Sequence, residues 1–546
     1  MPGEAIMNVS NRKLPGSLRR AMPGSRVLGQ ANARGVIEVT LKLRRKQSLP
    51  ELDARPAAPL TRDELAARYG ASQGDIDQVT QVMAQYGLKT VGSSVGARTV
   101  RLSGPISAME SAFNVKLFNY THADGNYRGR VGYLFIPDAL KDIVQGVFGL
   151  DNRRTVKRRR QPVRGINAPQ ALSSSHPSWY VPAQFATHYD FPQGDGTGQT
   201  VGLLEFAGGY FPGDLSKFCE KAGVSIPTVT PVSTDGTSTE SKDGAEGEVM
   251  LDIEVIAGLC PKSGIVVYFS AWTEAGMIAG LDAAMQDKTN NPGVLSISWG
   301  APEGTDIWTD QAMQQINETL KEAAYLGMTV CVAAGDDGSS DALADGHAHV
   351  DFPASSPYAL SVGGTTIVDF TGAAADVVWM EGDGLRADQG GSTGGGVSDV
   401  FQRPDWQSAI TIASVNPGAI NGRCIPDVAA NADWNASPYL LVVDGHAEAN
   451  GGTSAASPLW AALIALINSQ LAGGKRVGYL TPMLYQTAGA GGAPTLGAAG
   501  CTDVTSGNNN TASAGGYSAG AGYDAVSGWG TPQGQHLLAA IQAALA

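Results

Sequence analysis

Two acidic residues lie one helical turn apart in a segment that is otherwise mostly apolar. Residues 246–259 read E-G-E-V-M-L-D-I-E-V-I-A-G-L, which is typical of a buried helix. At about 100° per residue, Glu248 and Asp252 lie only about 40° apart around such a helix. Burial and mutual repulsion oppose the ionisation of a pair like this. The pair therefore indicates acid–base chemistry, or else a solvated stripe on a partly exposed helix.

A serine in a turn of small residues is the second candidate for chemistry. Residues 451–458 read G-G-T-S-A-A-S-P, and the helical run Leu459 to Leu471 follows. This order predicts a tight turn that brings Ser454 to a helix N-terminus, where backbone N–H groups and the helix dipole stabilise developing negative charge. Ser454 is then either a nucleophile or a plain helix N-cap.

Histidine, the usual base for a serine nucleophile, has no recognisable place in this sequence. Of the seven histidines, only His347 and His349 are close together, and none lies in an H-G-T-H or H-E-x-x-H motif. A carboxylate can replace histidine in acid, where a second carboxyl stays protonated and donates a hydrogen bond. Asp336, which follows the apolar run Met328 to Ala333, is a candidate for that neutral donor to an oxyanion. The alternative is a loop aspartate that caps the turn G-D-D-G.

Short apolar runs alternate with helical segments beyond Thr200. Continuous apolar runs are typical of strands buried on both faces, so they predict a parallel sheet with helices on each side. Ligands of such sheets bind at the carboxyl ends of the strands, and the residues that follow those ends are the site candidates. The predicted strands are Val201 to Phe206, Ile265 to Phe269, Val294 to Ser298, Met328 to Ala333 and Leu360 to Val362.

The first 150 residues predict a separate α+β unit. Residues 1–34 are rich in Gly, Pro, Arg and Ser without periodicity, and we interpret them as a flexible N-terminal arm. Residues 35–150 interleave strands and helices, which favours a small ferredoxin-like sandwich. A capping box at Thr61 begins one helix, and further helices are expected at Gly74 to Tyr86, Ile106 to Phe113 and Ile136 to Phe148.

A basic linker is predicted between the two units, over residues 151–180. We interpret it as an exposed segment that a peptidase can cleave. The plain alternative is a solvated charge run between the two domains. A nucleic-acid contact is a further alternative, but no aromatic residues that could stack on bases are interleaved with the charges. The basic residues are Arg153, Arg154, Lys157, Arg158, Arg159, Arg160 and Arg164.

The two units differ sharply in charge. The 546 residues carry a formal charge of −13, yet residues 1–170 hold 27 basic and 13 acidic residues, and the remainder hold 11 and 38. This acidity argues against nucleic-acid binding over the whole surface. No apolar run reaches the roughly 20 residues that cross a bilayer, and residues 1–20 lack the apolar stretch of a secretory signal. The five cysteines show no C-x-x-C spacing, so neither a zinc ribbon nor a disulfide scaffold is indicated.

Taken together, these segments resemble the sedolisins, the serine-carboxyl peptidases, and most closely their kumamolisin branch. The turn around Ser454, the segment G-E-V-M-L-D-I-E-V and the segment A-A-G-D that ends at Asp336 carry the resemblance. It covers nearly the whole chain, including the first unit, and several separated motifs make it specific. Further landmarks are L-S-I-S-W-G (295–300), H-V-D-F-P (349–353), G-G-S-T-G-G-G-V-S (390–398) and P-D-V-A (426–429).

The resemblance implies a subtilisin-like fold in which Glu248 replaces histidine as the general base. Asp252 would orient Glu248, Ser454 would attack the peptide carbonyl, and a protonated Asp336 would stabilise the oxyanion. In the kumamolisin branch a further Glu and a Trp extend this hydrogen-bond network. The matching residues here are Glu205, in L-L-E-F-A-G-G, and Trp299.

The resemblance also implies one structural calcium ion near the C-terminus. From the residues alone, this region is a glycine-rich loop with two aspartates. An oxygen-only cage of carboxylates and carbonyls suits calcium rather than a transition metal. The implied ligands are the side chains of Asp503 and Asp524 and the carbonyls of Val504, Gly520 and Gly522.

By the same resemblance, residues 35–150 form an inhibitory propeptide that is removed near Ala171 to Ser175. The opposite charges of the two units favour docking while carboxylates are ionised, so protonation below about pH 4 would weaken it. Activation in acid is the expected consequence.

The resulting hypothesis is an acid-acting serine-carboxyl endopeptidase, made as an autoprocessed zymogen with its peptidase domain at residues 181–546. A tripeptidyl exopeptidase on the same site and a non-catalytic, calcium-stabilised binding protein are the alternatives. The expected partners are a polypeptide substrate and the chain's own propeptide, with no nucleic acid or membrane, and we expect a monomer. The resemblance implies secretion, although no signal peptide is evident.

Overall fold

The computed structural model describes residues 11–158, 179–304, 307–372, 375–388, 390–487 and 493–546. The predicted cleavage region, Ala171 to Ser175, lies outside these ranges. None of the helices within them combines the length and the apolar character needed to cross a membrane.

The N-terminal unit has a four-stranded antiparallel sheet with the order β4-β5-β3-β9. Two helices connect β3 to β4 and one helix follows β5, so the predicted ferredoxin-like arrangement is confirmed. The Thr61 capping box is also present, with Glu64 as its partner. The elements are β1 (Asn11–Lys13), β2 (Arg26–Gln30), β3 (Val36–Leu43), α1 (Arg62–Tyr69), α2 (Gln73–Ala84), β4 (Lys89–Ser94), β5 (Thr99–Pro105), α3 (Ile106–Ala112), β6 (Phe118–Thr121), β7 (Tyr127–Gly129), β8 (Phe135–Pro137) and β9 (Val144–Phe148).

The flexible arm predicted for residues 1–34 is wrong for its described part. Strand β1 pairs with β8 and strand β2 pairs with β6, both antiparallel. Leu14 and Ser17 are buried, and the Ser17 hydroxyl donates to the carbonyl of Leu14. Both pairing partners lie about 100 residues further along the chain, so local periodicity could not reveal these strands.

The helix predicted for Ile136 to Phe148 is also wrong. This segment contains the end of β8, a short 3₁₀ turn at Asp138–Leu140 and strand β9. The apolar residues have helical spacing, but β9 pairs with β3 and completes the sheet. Long-range strand pairing outweighs the local helical pattern here.

The first charged residues of the predicted linker differ in their exposure. The Arg153 side chain is 1% exposed and pairs with Asp151 at 2.8 Å. Arg154 is exposed, and its guanidinium lies 4.4 Å from the ring centroid of Trp272. The backbone N–H of Thr155 donates to the Trp272 carbonyl at 2.7 Å. The Arg153 charge is therefore buried against a carboxylate, whereas Arg154 stacks on an aromatic face at the surface.

The larger domain contains an eight-stranded sheet among the described residues. Its order is β12-β13-β11-β14-β16-β18, and β24 and β19 both pair with β18. All these pairs are parallel except that of β19. The first elements are β10 (Lys157–Arg158), α4 (Pro182–His188), β11 (Thr200–Phe206), α5 (Pro212–Ala222), β12 (Thr228–Ser233), α6 (Glu246–Leu259), β13 (Gly264–Ser270), α7 (Glu274–Gln286), β14 (Val294–Ile297), β15 (Trp299–Pro302), α8 (Asp310–Tyr325), β16 (Thr329–Ala333), β17 (Asp351–Phe352) and β18 (Leu360–Thr366).

Helices cover both faces of this sheet, as predicted. Side chains of α6 and α9 pack on one face with Val201 and Leu203, whereas side chains of α7 and α8 pack on the other with Leu204 and Phe206. The five predicted strands are all present. The remaining elements are β19 (Val377–Val378), β20 (Met380–Glu381), β21 (Gly391–Ser392), β22 (Gly396–Gln402), β23 (Gly422–Ile425), β24 (Val428–Asn431), β25 (Tyr439–Val443), β26 (His446–Asn450), α9 (Thr453–Gln470), α10 (Thr481–Leu484), α11 (Leu496–Gly500), β27 (Cys501–Thr502), β28 (Thr531–Pro532) and α12 (Gly534–Leu545).

The N-terminal unit docks on helices α7 and α8 through buried ion pairs. Lys42 Nζ lies 2.6 Å from Asp282 Oδ1, and Arg45 Nη2 lies 2.7 Å from Glu322 Oε1. Arg98 Nε is 3.6 Å from the same Glu322 oxygen. In each pair the cation belongs to the basic unit and the carboxylate to the acidic domain, which agrees with the charge asymmetry of the sequence.

Candidate active site

Ser454 is the second residue of α9, at its N-terminal end. It is fully buried, and its Oγ has no hydrogen-bond partner among the described residues. Gly452 precedes the helix with a φ of 96°, a conformation that glycine adopts without strain. The prediction of a tight turn that places Ser454 at a helix N-terminus is therefore confirmed.

The helix begins at Thr453, six residues earlier than the sequence predicted. The prediction placed the start after Pro458, but this proline lies inside the helix. Proline has no N–H, so it cannot donate to the carbonyl of Ser454 four residues before it. The hydroxyl of Ser298 lies 3.3 Å from that carbonyl oxygen and replaces the missing donor. The Ser298 side chain, which follows β14, thus satisfies the carbonyl that Pro458 leaves without its usual N–H donor.

Glu248 and Asp252 are both fully buried on α6, so the solvated-stripe interpretation is wrong. Helix α6 packs against α9, and its N-terminal half carries both carboxyls. Ser298 Oγ lies 2.7 Å from Asp252 Oδ2. The same hydroxyl therefore connects the Asp252 carboxyl with the backbone of the Ser454 turn.

Glu205 extends this buried group of carboxyls. It lies near the carboxyl end of β11, is fully buried, and accepts a hydrogen bond of 2.8 Å from Trp299 Nε1. Its carboxyl and that of Asp252 influence each other's ionisation, and the charge of Glu248 acts on both. Glu205 therefore does not face solvent at the end of this strand.

Burial shifts the protonation of this group strongly. It raises the pKa of Glu205 to about 8, with Glu248 adding to the shift and the Trp299 N–H opposing it. Burial likewise raises the pKa of Asp252 well above its usual value, with further contributions from Glu205 and Glu248. Protons are therefore retained on these carboxyls well above the pH at which exposed carboxyls ionise.

Asp336 lies on the other side of the nucleophile turn, three residues after β16. It is fully buried, and its Oδ1 accepts from the backbone N–H of Thr453 at 2.8 Å and from the Thr453 hydroxyl at 2.6 Å. The neighbouring Asp337 forms an ion pair with Arg386. Thr453 fixes Asp336 directly beside the serine.

No histidine takes part in this arrangement within the described ranges. Ser454 Oγ has no hydrogen-bond partner there, and three histidine rings lie against carboxylates elsewhere: His122 with Asp124, His188 with Asp376 and His349 with Asp345. Carboxyls, not imidazoles, are therefore the titratable groups near the serine.

Sequence reasoning assigned no role to Ser298 or Thr453. Both stand beside residues that it did select: Ser298 precedes Trp299 at the end of β14, and Thr453 precedes Ser454. Their position at strand and helix ends was the available signal.

The strand that follows Ser298 also contacts the segment leaving the N-terminal unit. Strand β10 pairs antiparallel with β15, with Lys157 opposite Gly300 and Arg158 opposite Trp299. The rings of Trp272 and Trp299 meet edge to face at 5.1 Å, beside Arg154. An extended peptide is thus bound by main-chain pairing within two residues of Ser298.

Two aspartates hold one glycine-rich loop near the C-terminus. Asp503 Oδ2 accepts from the Gly522 N–H at 2.8 Å, and Asp524 Oδ2 accepts from the Gly520 N–H at 3.0 Å. Burial raises the pKa of Asp524, although backbone N–H groups oppose the shift. The structure therefore brings both predicted carboxylates to the predicted loop. The predicted metal-ligand atoms are all oxygens, which is the ligand type that calcium prefers.

Comparison with known families agrees with this architecture. Residues 23–153 match the pro-kumamolisin activation domain, and residues 236–527 match the subtilase family. Kumamolisin of Bacillus sp. (strain MN-32) is 41% identical in an alignment that covers 97% of this chain and 96% of kumamolisin. The chain belongs to the sedolisin family. It is therefore a serine peptidase that carries an activation domain.

Other sedolisin-family proteins are similar over much of the chain. A tripeptidyl-peptidase of Aspergillus fumigatus is 28% identical over 96% of each chain. The solved structure of Pseudomonas sedolisin, a serine-carboxyl proteinase in complex with pseudo-iodotyrostatin, superposes with a TM-score of 0.57 at 28% identity. That match covers 67% of this chain and 98% of the sedolisin chain.

Replacing Ser298 by Ala should lower kcat for peptide cleavage by about 5- to 100-fold, because leaving a buried hydrogen-bond partner unsatisfied costs about 1–3 kcal/mol. Ser296→Ala is the matched control, since Ser296 lies on the same strand but contacts Ser457. Equal losses in the two variants would contradict a specific role for Ser298.

The raised pKa of Glu205 makes the stability of the fold depend on pH. A carboxyl whose pKa is higher in the folded state stabilises it below the unfolded pKa, near 4.5, and this contribution is lost as the pH rises towards 8. We expect Glu205→Gln to remove at least about 2 kcal/mol of this pH-dependent change in unfolding free energy. Urea unfolding at pH 5 and pH 8 measures the change. The exposed control Glu220→Gln should behave as wild type.

Proposed function

We propose that this sedolisin-family peptidase is an acid-acting serine-carboxyl endopeptidase, produced as a zymogen that processes itself. The observation that supports this most directly is the buried group of Glu205, Glu248 and Asp252, packed against the helix that begins at Ser454. Such a group is costly to bury unless its protonation is used.

In this proposal Ser454 attacks the peptide carbonyl while Glu248 removes its proton as general base. Asp252 orients Glu248 and, with its raised pKa, keeps a proton that Glu248 can share. Glu205 and Trp299 extend the hydrogen-bonded chain away from the reaction centre. Burial raises the pKa of Glu205 and of Asp252, so both neighbours of Glu248 hold their protons in acid, and the proposal assigns the proton-accepting role to Glu248.

Asp336 is proposed to donate a hydrogen bond to the tetrahedral oxyanion. The Thr453 backbone N–H and hydroxyl hold one of its carboxyl oxygens beside the serine turn, which supports this position for a protonated, donating carboxyl. The N-terminus of α9 adds backbone N–H groups and the helix dipole at the same place. Together these donors supply the negative-charge stabilisation that acyl transfer needs.

The N-terminal unit is proposed to be an inhibitory propeptide. The pairing of β10 with β15 supports this. The segment that leaves the N-terminal unit pairs with β15, and we propose that an extended substrate would pair with the same strand, so the segment would block it. Cleavage near Ala171 to Ser175, beyond this segment, would release the unit. Secretion is part of the same proposal.

Glu322 is proposed to make the docking sensitive to acid. Burial alone would raise its pKa, but Arg45, Arg98 and Lys42 outweigh that effect and lower it. All three cations belong to the propeptide, so the lowering exists only in the docked state. Docking is then favoured above the undocked pKa and lost as the pH falls through the docked one. Asp282 has the opposite effect on the pH dependence of docking, because burial raises its pKa and Lys42 only partly offsets this shift.

A calcium ion is proposed at the loop held by Asp503 and Asp524, with the carbonyls of Val504, Gly520 and Gly522 as further ligands. Bound calcium would neutralise the two carboxylates and hold the C-terminal loops together. Its role is structural, since no catalytic carboxyl belongs to this set.

The catalytic proposal is tested with Glu248→Gln and Ser454→Ala. Each should lower kcat by at least about a thousandfold and stop self-processing, while Glu246→Gln on the same helix should stay within about twofold of wild type. Substantial cleavage by Glu248→Gln would contradict the assigned base. Mass spectrometry of the products of a long peptide distinguishes internal cleavage from the successive release of tripeptides.

Replacing Glu322 by Gln should release the propeptide at higher pH. The variant removes the ionisable partner of Arg45 and Arg98, so self-processing at pH 6 should rise at least about tenfold and its pH dependence should flatten. Glu318→Gln is the matched control, because Glu318 binds Arg45 at 3.3 Å from a more exposed position. An unchanged pH profile in Glu322→Gln would contradict this role.

Removal of calcium with a chelator should lower the melting temperature of the wild-type protein by several degrees, and added Ca²⁺ should restore it. Asp503→Asn should melt earlier and respond little to the chelator. Melting curves that are the same with chelator and with Ca²⁺ would contradict the site.

A further inference from the structure

A cavity of about 790 Å³ lies between the N-terminal unit and the larger domain, far from the carboxyls described above. The segment before α1 forms one wall, and residues 288–291, 474–476 and 544–546 form much of the other. Its lining includes five cationic side chains but only one acidic side chain, that of Asp63. The cations are Arg55, Arg62, Lys288, Lys475 and Arg476.

The arginines of this cavity are bound by neutral acceptors. Arg55 donates to the carbonyls of Val477 at 2.7 Å and Arg476 at 3.0 Å. Arg476 donates to the carbonyl of Asn291 at 3.0 Å, and Arg62 donates to the Asn291 side chain. These bonds fix the guanidinium groups but do not neutralise their charge.

The nearby carboxylates already have other partners. Asp63 forms an ion pair with Lys288. Asp287, which acts on Arg62 electrostatically, accepts from Tyr268 at 2.8 Å and from Asn290 at 2.6 Å. The guanidinium groups of Arg55, Arg62 and Arg476 therefore lie at one cavity, and none of them forms an ion pair with a carboxylate side chain among the described residues.

Burial also disfavours the charge of these guanidinium groups. Arg62 Nε is buried and has no hydrogen-bond partner among the described residues, so no acceptor there satisfies it. Burial lowers the pKa of Arg55, Arg62 and Arg476, and Arg476 itself adds to the lowering at Arg62. All three arginines carry their charge across the physiological pH range. An anion between them would offset the free-energy cost of burying these charges close together.

We propose that this cavity binds a multivalent oxyanion, of the phosphate or sulfate type, and that the bound anion joins the propeptide to the peptidase domain. Guanidinium groups match the oxygens of such anions with paired hydrogen bonds. The volume is that of a small-ligand pocket and exceeds the needs of a single water or chloride.

The site requires both parts of the precursor. Arg55 and Arg62 come from the propeptide, whereas Lys288, Lys475 and Arg476 come from the peptidase domain. An anion that binds only this combined site stabilises the docked state and retards release of the propeptide. This inference does not depend on the catalytic roles proposed above.

The test is isothermal titration calorimetry of the intact precursor with tripolyphosphate at pH 7 and low salt. We expect one saturable site, with orthophosphate at least tenfold weaker. Arg62→Gln should weaken tripolyphosphate binding at least tenfold. Arg68→Gln, on the same helix but with a side chain 56% exposed, should stay within twofold of wild type. The processed enzyme, which lacks Arg55 and Arg62, should also bind at least tenfold more weakly.

A second measurement keeps the proposal testable if Arg62→Gln is less stable. Tripolyphosphate should raise the melting temperature of the wild-type precursor and of Arg68→Gln, but not that of Arg62→Gln. Absence of saturable binding would overturn the proposal. Equal losses in the two variants, or equal binding by precursor and processed enzyme, would overturn it as well. None of these results bears on peptide cleavage, so the peptidase proposal stands or falls separately.

Discussion

The structure depends on the burial of three carboxyl groups beside one serine. Glu205, Glu248 and Asp252 lie where water cannot solvate their charges, and the charge of Glu248 opposes ionisation of the other two. The surrounding helices keep them close despite this repulsion, because α6 and α9 are buried almost completely in the same apolar core. Shared protons are the simplest way for such a group to persist, and they connect the stability of the domain to the pH of its surroundings.

The sequence was informative where local pattern and burial agree. Continuous apolar runs identified the parallel strands. The carboxyls on or next to buried elements could be selected as site candidates, because a buried charge is costly unless it has a partner or a function. It was uninformative where distant segments pair. Strands β1, β2 and β9 find partners far along the chain, and Arg153 finds a carboxylate that makes its burial acceptable. Ser298 escaped notice for a related reason, since only the folded chain brings its hydroxyl between Asp252 and the turn of Ser454.

Docking of the two parts follows the charge difference, but pairwise geometry decides how it responds to acid. Glu322 is ionised because three propeptide cations surround it, whereas Asp282 is protonated more easily despite its lysine. The net charge of +14 against −27 could not separate these two carboxylates. The pKa values of Glu322 and Asp282 differ in direction because the two carboxylates contact different numbers of cations in a buried setting. The response of docking to acid therefore depends on individual side chains more than on the net charges of the two parts.

The proline within α9 has a wider consequence for this fold. It removes one backbone hydrogen bond near the start of the helix, so the carbonyl of Ser454 takes a donor from Ser298. The helix that carries the nucleophile is thereby connected to the buried carboxyls by a side-chain hydroxyl as well as by packing. A residue with a backbone N–H at position 458 would supply the helix's own donor to this carbonyl, and the carbonyl would then depend less on Ser298.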